Sequence, residues 1–215
     1  MAERADVIVY YSLQSDYCYF LLDRLLELRR SGVCIEVRPI LGGVIRAPEL
    51  FKNRSPLEQE YFRTDSQRTA SFLGLPYAYP DPSPIEFRLD SLWQAVDQQP
   101  RNERLNRLFV GAWQAGQSLE FLTSVGRMLW DGSTQDWDHG HHVQSALSSV
   151  DLNERDLLDA MPWDKAKEVL DRHAGAIIAH GHWGVPLMVF QGEAFYGQDR
   201  FDQLIWRMKE RQAVQ

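Results

Sequence analysis

The chain has 215 residues, with 44% hydrophobic and 25% charged residues and a formal net charge of −7. This acidic balance, without a dense Lys/Arg tract, excludes an electrostatic surface for nucleic acid or for an anionic membrane. No apolar run is long enough for a membrane span, and the first residues lack the basic and apolar regions of a signal peptide. The two cysteines, Cys18 and Cys34, are too few for a disulfide framework, so we expect a cytoplasmic protein.

A strand–helix–strand unit is predicted at the start of the chain. The run Asp6–Tyr11 is rich in β-branched and aromatic residues, which is typical of a buried strand. After the polar turn Ser12–Asp16, apolar residues recur at helical spacing until Ser31-Gly32 ends the helix. Val33–Arg38 is the second predicted strand, and a crossover through the helix makes the two strands parallel.

The middle of the chain is predicted to be helical, and β structure returns only near the end. Residues 44–175 show apolar stripes at helical spacing, interrupted at 75–84 by a connection that four prolines keep extended. Pro186–Phe190 and Glu193–Tyr196 flank a Gln-Gly turn and predict a hairpin. Gly197-Gln-Asp199 then opens a last helix.

The order of these elements predicts an α/β fold. A βαβ half and a ββα half are separated by the helical block, and together they can form one four-stranded mixed sheet. We assign residues 1–43 and 176–215 to one domain and residues 44–175 to an inserted, all-helical domain.

The turn Ser15-Asp-Tyr-Cys18 lies between the first strand and the first helix. In thioredoxin-like proteins this junction holds Cys-x-x-Cys, and the partial positive charge of the helix N-terminus stabilises a thiolate there. Ser15 occupies the first position here, and a hydroxyl cannot form a disulfide, so dithiol exchange at this turn is excluded. A hydroxyl can instead donate a hydrogen bond to the thiolate of another molecule.

Two further markers lie in the last part of the chain. Gly184-Val185-Pro186, before the hairpin, resembles the cis-proline segment that faces the active-site turn in the thioredoxin superfamily. Gly197–Asp202 places a carboxylate and free backbone amides at the start of the last helix, where they can bind the charged ends of a peptide-like ligand.

Over essentially its whole length, the chain resembles the branch of the DsbA-like superfamily that contains 2-hydroxychromene-2-carboxylate isomerase and kappa-class glutathione transferase. The matching motifs are Ser15–Cys18, Arg38-Pro39, Gly184–Val189 and Phe195–Arg200. The resemblance implies a thioredoxin-like fold with a large helical insertion, glutathione as cofactor and a homodimer. It also implies an isomerase acting on an aromatic or electrophilic small molecule.

The resemblance also implies a set of site residues. Ser15 is the catalytic residue that contacts the glutathione sulfur, Val185 binds the cysteinyl backbone, and Gln198 and Asp199 hold the γ-glutamyl end. Asn53 resembles the family's asparagine that touches the cofactor. The complete set expected to contact glutathione is Ser15, Asp16, Tyr17, Asn53, Val185, Pro186, Gln198 and Asp199.

Two positions depart from the family pattern. Asp16 replaces a proline, and its charge should raise the pKa of a neighbouring thiol unless the side chain points to solvent. The acidic stretch Leu57–Tyr61 stands where the family has a lysine, for which Arg54 or Arg63 are candidate substitutes. From the helical block, Trp93, Trp113 and Trp130 are candidates for an apolar substrate wall.

Several alternatives stay open. Ser15 could serve as an N-cap, a role compatible with catalysis, and Cys18 could be a buried, inert thiol. His139-Gly-His-His142 fits a solvated loop better than a metal site, so no metal is expected, and His180 or His182 could meet a substrate. The functional alternatives are a kappa-like glutathione transferase and a non-catalytic binding protein on the same fold.

Overall fold

The computed structural model describes residues 5–88 and 93–212. One sheet contains the strands β1 (Val7–Tyr11), β2 (Ile35–Pro39), β3 (Leu187–Phe190) and β4 (Glu193–Tyr196) in the order β2-β1-β3-β4. β1 is parallel to β2 and antiparallel to β3, and β3 is antiparallel to β4. The two halves therefore join in one mixed sheet, as predicted.

The remaining elements are mostly α-helices. They are α1 (Asp16–Tyr19), α2 (Leu22–Arg30), α3 (Gly43–Arg46), α4 (Pro56–Leu73), α5 (Pro100–Gln114), α6 (Ser118–Phe121), α7 (Arg127–Trp130), α8 (His142–Ser148), α9 (Glu154–Ala160), α10 (Trp163–Ala179) and α11 (Phe201–Gln212). A π-helical turn, Leu122–Gly126, joins α6 to α7, and short 3₁₀ turns form at Pro48–Leu50 and Gln198–Arg200. Across both described ranges, no helix is long and apolar enough to cross a bilayer.

Three details differ from the sequence-based expectation. The second strand is Ile35–Pro39 rather than Val33–Arg38, because β2 is an edge strand where a proline without an N–H can be tolerated. The first helix is divided between α1 and α2. Within the block predicted to be wholly helical, Phe87 and Ala95 form an isolated antiparallel bridge. The boundary assigned at residue 175 lies within α10, and the division into two domains stays a prediction.

The helical block and the sheet share one apolar core. Tyr11 on β1 contacts the ring of Phe109 on α5 edge-on, with 6.1 Å between ring centres, and Phe109 stacks on Phe121 at 5.1 Å. The indole of Trp130 on α7 donates a hydrogen bond of 2.9 Å to the carbonyl of Leu13. Because Leu13 lies just before the Ser15 turn, the helical block directly supports the residues that position this turn.

Candidate functional site

The candidate site lies at one end of the strands of the sheet, where β1 and β2 end and β3 begins. Tyr11 pairs with Pro39, and Tyr10 pairs with Leu187, so the turn after β1 and the loop before β3 lie beside one another. The Val185–Pro186 peptide bond is cis. The carbonyl of Pro186 accepts a hydrogen bond from Gly197 at 2.9 Å, which brings the start of the last helix to the same place.

Ser15 caps the N-terminus of α1. Its hydroxyl accepts a hydrogen bond from the Cys18 N–H at 3.4 Å, and the side chain is partly exposed. A hydroxyl that accepts one hydrogen bond retains a proton to donate. Ser15 is therefore an N-cap, as considered from the sequence, and the same position can present its proton to a ligand.

Cys18 is a buried thiol on α1. Burial raises the pKa of its thiol to about 12, and the Sγ accepts a hydrogen bond from the Ser12 N–H at 3.5 Å. Cys34 precedes β2, so it lies at the opposite end of the strands from the candidate site. The site thus contains a buried, protonated sulfur from the protein itself, which agrees with the inert role considered for Cys18.

The Asp16 carboxylate turns toward the helical block instead of solvent. Its Oδ2 accepts hydrogen bonds from the Ser66 hydroxyl at 2.6 Å and the Tyr77 hydroxyl at 3.2 Å, and its Oδ1 accepts one from the Tyr17 N–H at 2.8 Å. Burial raises the pKa of this carboxyl, while the three hydrogen bonds oppose that effect. The position that departs from the family pattern is therefore tied to α4 and to Tyr77.

Tyr17 is also fixed by the helical block. Its hydroxyl donates a hydrogen bond of 2.5 Å to Asp65 on α4, and its ring meets Phe20 and Phe62 edge-on, with centres 5.9 Å and 6.5 Å away. Burial raises the pKa of the Tyr17 phenol, and the hydrogen bond from Tyr17 lowers the pKa of Asp65. The hydrogen bond therefore fixes the position of the phenol, and its proton is donated to Asp65.

The loop before β3 presents unpaired backbone groups. Among the residues that the structure describes, neither the N–H nor the C=O of Val185 has a hydrogen-bond partner. Next to it, the Gly184 N–H donates to His182 Nδ1 at 2.8 Å, and the His182 ring stacks on Tyr196 with centres 3.8 Å apart. Burial lowers the pKa of His182. His180, by contrast, packs against Tyr10, with ring centres 5.9 Å apart.

The remaining predicted contact residues lie on the exposed rim. The Gln198 carbonyl accepts a hydrogen bond from Arg24 on α2 at 3.1 Å, and the exposed Asp199 pairs with Arg200 at 2.9 Å. Asn53 is exposed in the turn before α4. The fold brings Gln198 and Asp199 to Pro186 through the Gly197 hydrogen bond. Within residues 5–88 and 93–212, no hydrogen bond or ion pair joins Asn53 to the other predicted residues.

An aromatic cluster adjoins the site and surrounds an arginine. The Arg54 guanidinium carbon lies 5.1 Å, 5.2 Å and 5.1 Å from the ring centres of Phe51, Phe62 and Trp93. Phe51 also contacts Trp183, with ring centres 5.7 Å apart, which places this cluster beside the loop before β3.

The structure separates the other candidates considered for the site. Trp93 belongs to the aromatic cluster, Trp130 is buried beneath Leu13, and Trp113 packs on Glu36 and His173. Arg63 is exposed on α4. His139 and His141 are exposed before α8, and His142 is the exposed first residue of that helix. In the described ranges, no group of three His, Cys, Asp or Glu side chains could hold a metal ion.

Several functional candidates escaped the sequence interpretation, namely Arg46, Ser66, Tyr77, Trp183 and Tyr196. Tyr196 falls within the motif Phe195–Arg200, although the motif gave it no role. The other four are distant from Ser15 in the sequence and follow no motif, so only the packing reveals them. A cleft of about 670 Å³ is lined by residues 44–52 and 93–99 and includes Trp93, but none of the eight residues expected to contact glutathione lines it. The turn, the cis-proline loop and the aromatic cluster therefore define the candidate site better than cleft size does.

Comparisons with known proteins agree with this architecture. A family model described as the DSBA-like thioredoxin domain matches residues 6–209. None of the curated proteins matches the sequence. The structure of a 2-hydroxychromene-2-carboxylate isomerase has a TM-score of 0.71 and 20% identity, with 97% of each chain covered. The structure of a probable DsbA oxidoreductase from Streptomyces coelicolor has a TM-score of 0.59 and 16% identity, covering 94% of this chain and 88% of the other.

At these identities the two structures establish the fold alone, and the expected thioredoxin-like fold with a helical insertion is confirmed. The family model extends over both halves of the sheet and over the whole helical block between them. The chain belongs to the DSBA-like thioredoxin domain family.

Proposed function

We propose that the protein is a glutathione-dependent isomerase of the 2-hydroxychromene-2-carboxylate isomerase type. One observation carries the proposal. Ser15 lies at the N-terminus of α1, and the nearby sulfur of the protein itself, that of Cys18, is buried and protonated. A nucleophilic sulfur at this turn must therefore come from a ligand. The fold shared with the isomerase structure supports the same activity.

The binding mode follows from the groups at this end of the strands. The Ser15 hydroxyl donates a hydrogen bond to the thiolate of glutathione, and the unpaired backbone of Val185 pairs with its cysteinyl residue. Gln198 and Asp199 receive the γ-glutamyl end, and Asn53 closes the opposite rim. Phe51, Phe62 and Trp93 provide an apolar wall for an aromatic substrate.

The chemistry is reversible addition of sulfur. The thiolate adds to an electrophilic carbon of a conjugated substrate, so that a C–S bond forms and the electron pair moves into the conjugated system. Rotation about the bond that has become single follows, and elimination then breaks the C–S bond and releases the thiolate unchanged. The protein's role is to hold the thiolate and the ring, while glutathione supplies the nucleophile.

Binding of glutathione is the first test. Calorimetry with millimolar glutathione should detect binding to the wild-type protein, and a crystal of the complex should show the sulfur within hydrogen-bond distance of Ser15 Oγ. Absence of binding at this concentration would favour the non-catalytic alternative and reject the proposal.

Removal of the Ser15 hydroxyl should slow turnover about 10- to 100-fold, because a hydrogen bond to a charged group contributes roughly 1.5–3 kcal/mol. Both Ser15→Ala and Ser15→Gly remove the hydroxyl, but glycine preserves the N-terminus of a helix at a smaller cost in stability. Equal losses of turnover in the two variants assign the effect to the lost hydrogen bond. Full activity in either variant contradicts the assignment.

The fate of glutathione separates isomerisation from conjugation. With 2-hydroxychromene-2-carboxylate as the probe, an isomerase changes the ultraviolet spectrum while the concentration of free thiol stays constant. A kappa-like transferase instead consumes one thiol for each product formed. The homodimer expected from the resemblance is tested on the same sample by sedimentation.

A further inference from the structure

Arg46 lies at the same end of the strands, although it belongs to no motif of the sequence. It is the last residue of α3, whose first turn is capped by Gly42. The Gly42 N–H donates a hydrogen bond of 3.1 Å to the side chain of Gln14, the residue directly before Ser15. The Gly42 carbonyl in turn accepts the backbone N–H of Arg46 at 3.2 Å. A short chain of hydrogen bonds thus connects Arg46 to the catalytic turn.

Two backbone carbonyls hold the guanidinium of Arg46. Nε donates to the Leu41 carbonyl at 3.0 Å, and a terminal nitrogen donates to the Trp183 carbonyl. Leu41 follows β2, and Trp183 lies just before the Val185–Pro186 peptide. The guanidinium is therefore fixed between the two loops that border the Ser15 turn.

The positive charge of Arg46 has no counter-charge in the described part of the chain. Arg38, Arg101, Arg104 and Arg127 are also partly buried, and each pairs with a carboxylate, whereas the partly buried Arg107 donates to the carbonyls of Leu158 and Met161. Arg46 pairs with carbonyls only. Burial lowers the pKa of Arg46, yet an arginine stays charged at neutral pH, and a partly buried charge is normally paired.

The other ionisable groups around the turn do not supply this counter-charge. These groups are Asp16, Tyr17, Cys18, Arg54, Asp65, Tyr77, His182, Tyr196 and Asp199. Asp65 pairs with Arg68, and Asp199 pairs with Arg200. The Asp16 carboxylate is occupied by Ser66 and Tyr77, and Cys18 stays protonated because its pKa is about 12. The guanidinium lies against the loop before β3 through the Trp183 carbonyl, and α3 is joined to Gln14, next to Ser15, through Gly42.

We propose that Arg46 is the positioning residue that supplies the positive charge for the ligand's sulfur anion at Ser15. The inference rests on the proposed function, since it requires a thiol ligand at this turn. The guanidinium, clamped between Leu41 and Trp183, stabilises the thiolate over the thiol and offsets the effect of Asp16.

The test measures the pKa of glutathione bound to the protein. The ultraviolet absorbance of the thiolate is titrated in the glutathione complex, and the identical titration with S-methylglutathione, which has no ionisable thiol, is subtracted. The variants are Arg46→Gln, which keeps N–H donors for the carbonyls but removes the charge, and Arg46→Lys, which keeps the charge. Arg30→Met removes an exposed charge from α2 and serves as the control.

We expect Arg46→Gln to raise the pKa of bound glutathione by about one, which lowers the thiolate fraction about tenfold at a pH below that pKa. Arg46→Lys and Arg30→Met should leave that pKa close to the wild-type value. The affinity for S-methylglutathione should stay the same in all variants, and circular dichroism confirms that each is folded.

Two results would overturn the inference while leaving the proposed function intact. One is an unchanged pKa of bound glutathione in Arg46→Gln. The other is an equal loss of affinity for glutathione and S-methylglutathione, which would make Arg46 only a clamp between the loops. If the wild-type protein binds neither ligand, the proposed function itself is wrong, and the inference is overturned with it.

Discussion

The side chain of Asp16 illustrates how a single residue in the turn depends on distant partners. From the sequence, its charge opposes activation of a neighbouring thiol. In the structure, Ser66 and Tyr77 accommodate the carboxylate on the side of the helical block. Burial nevertheless dominates, so the pKa of Asp16 is raised. The folded protein therefore holds this proton more tightly than the unfolded chain does.

A raised pKa gives a definite sign to the dependence of stability on pH. Below its ordinary pKa of 3.8, Asp16 makes its whole stabilising contribution to the free energy of unfolding. This contribution is lost as the pH rises through the raised pKa of the folded protein. Asp16→Asn cannot ionise. The free energy of unfolding of this variant, relative to wild type, should therefore increase with pH across that interval and become constant above it.

Urea unfolding of both proteins from acid to neutral pH measures this difference. Asp202→Asn changes an exposed carboxylate on α11 and is the matched control. A difference between Asp16→Asn and wild type that decreases with rising pH would show that the hydrogen bonds from Ser66 and Tyr77 outweigh burial.

At the scale of secondary-structure elements, the loop before β3 is pressed against the end of β4. A Cβ built on Gly184 would lie 2.3 Å from the Tyr196 ring and 2.8 Å from the His182 ring. Real Cβ contacts are longer, so only glycine permits this approach. The close contact keeps the Gly184–Val185 backbone beside Tyr196, next to the cis-proline peptide.

Gly184→Ala should therefore displace the Tyr196 ring and lower the free energy of unfolding by about 1–3 kcal/mol, the usual cost of overpacking. Gly175→Ala is the control, because Gly175 lies in α10 with nothing within 4 Å of a built Cβ. That substitution should stabilise the protein by about 0.5–1 kcal/mol, since glycine is a poor helix former. Equal stability of the two variants, measured by urea unfolding, would refute the close contact.

In helix α4, the start of the helix depends on neighbouring residues, whereas its position depends on the tertiary structure. Its start is encoded locally: the Ser55 hydroxyl and the Glu58 side chain cap one another's backbone, and Pro56 occupies the first turn. Its placement is not local, because Asp65 and Ser66 meet Tyr17 and Asp16 only in the folded chain. The Glu58 side chain at this turn is exposed.

For the molecule as a whole, the central feature is the core shared by sheet and helical block. Leu105 on α5 is fully buried in the same apolar cluster as Val9 on β1 and Met188 on β3. A cluster that joins both parts couples their unfolding. We therefore expect the sheet and the helical block to unfold in one transition, although the chain divides into two domains by sequence pattern.

Leu105→Ala should lower the free energy of unfolding by about 2–5 kcal/mol, because it opens a cavity in this core. Leu57 on α4 is 76% exposed, so Leu57→Ala should change stability by no more than about 0.5 kcal/mol. Hydrogen exchange, resolved by mass spectrometry, should show equal destabilisation of peptides from α5 and from β3. Protection of the β3 peptide that survives in Leu105→Ala would contradict the shared core.

The sequence by itself determined the elements and their order. The β-branched runs, the helical apolar stripes, the proline-rich connection and the Gln-Gly turn predict the strands, the block and the hairpin, since each signal depends on residues close in the chain. The Ser15 turn and the Gly184-Val185-Pro186 segment were recognised in the same way. They also predict the family, which the match over residues 6–209 establishes.

The tertiary structure alone decided what surrounds Ser15. The orientation of Asp16, the burial that raises the pKa of Cys18, the clamp on Arg46 and the aromatic cluster around Arg54 all join residues far apart in the chain. Desolvation and electrostatic interaction depend on the distance in space between groups, and no local pattern specifies that distance. Packing of the helical block onto the sheet therefore sets the charge at the site, which the sequence motif alone leaves undetermined.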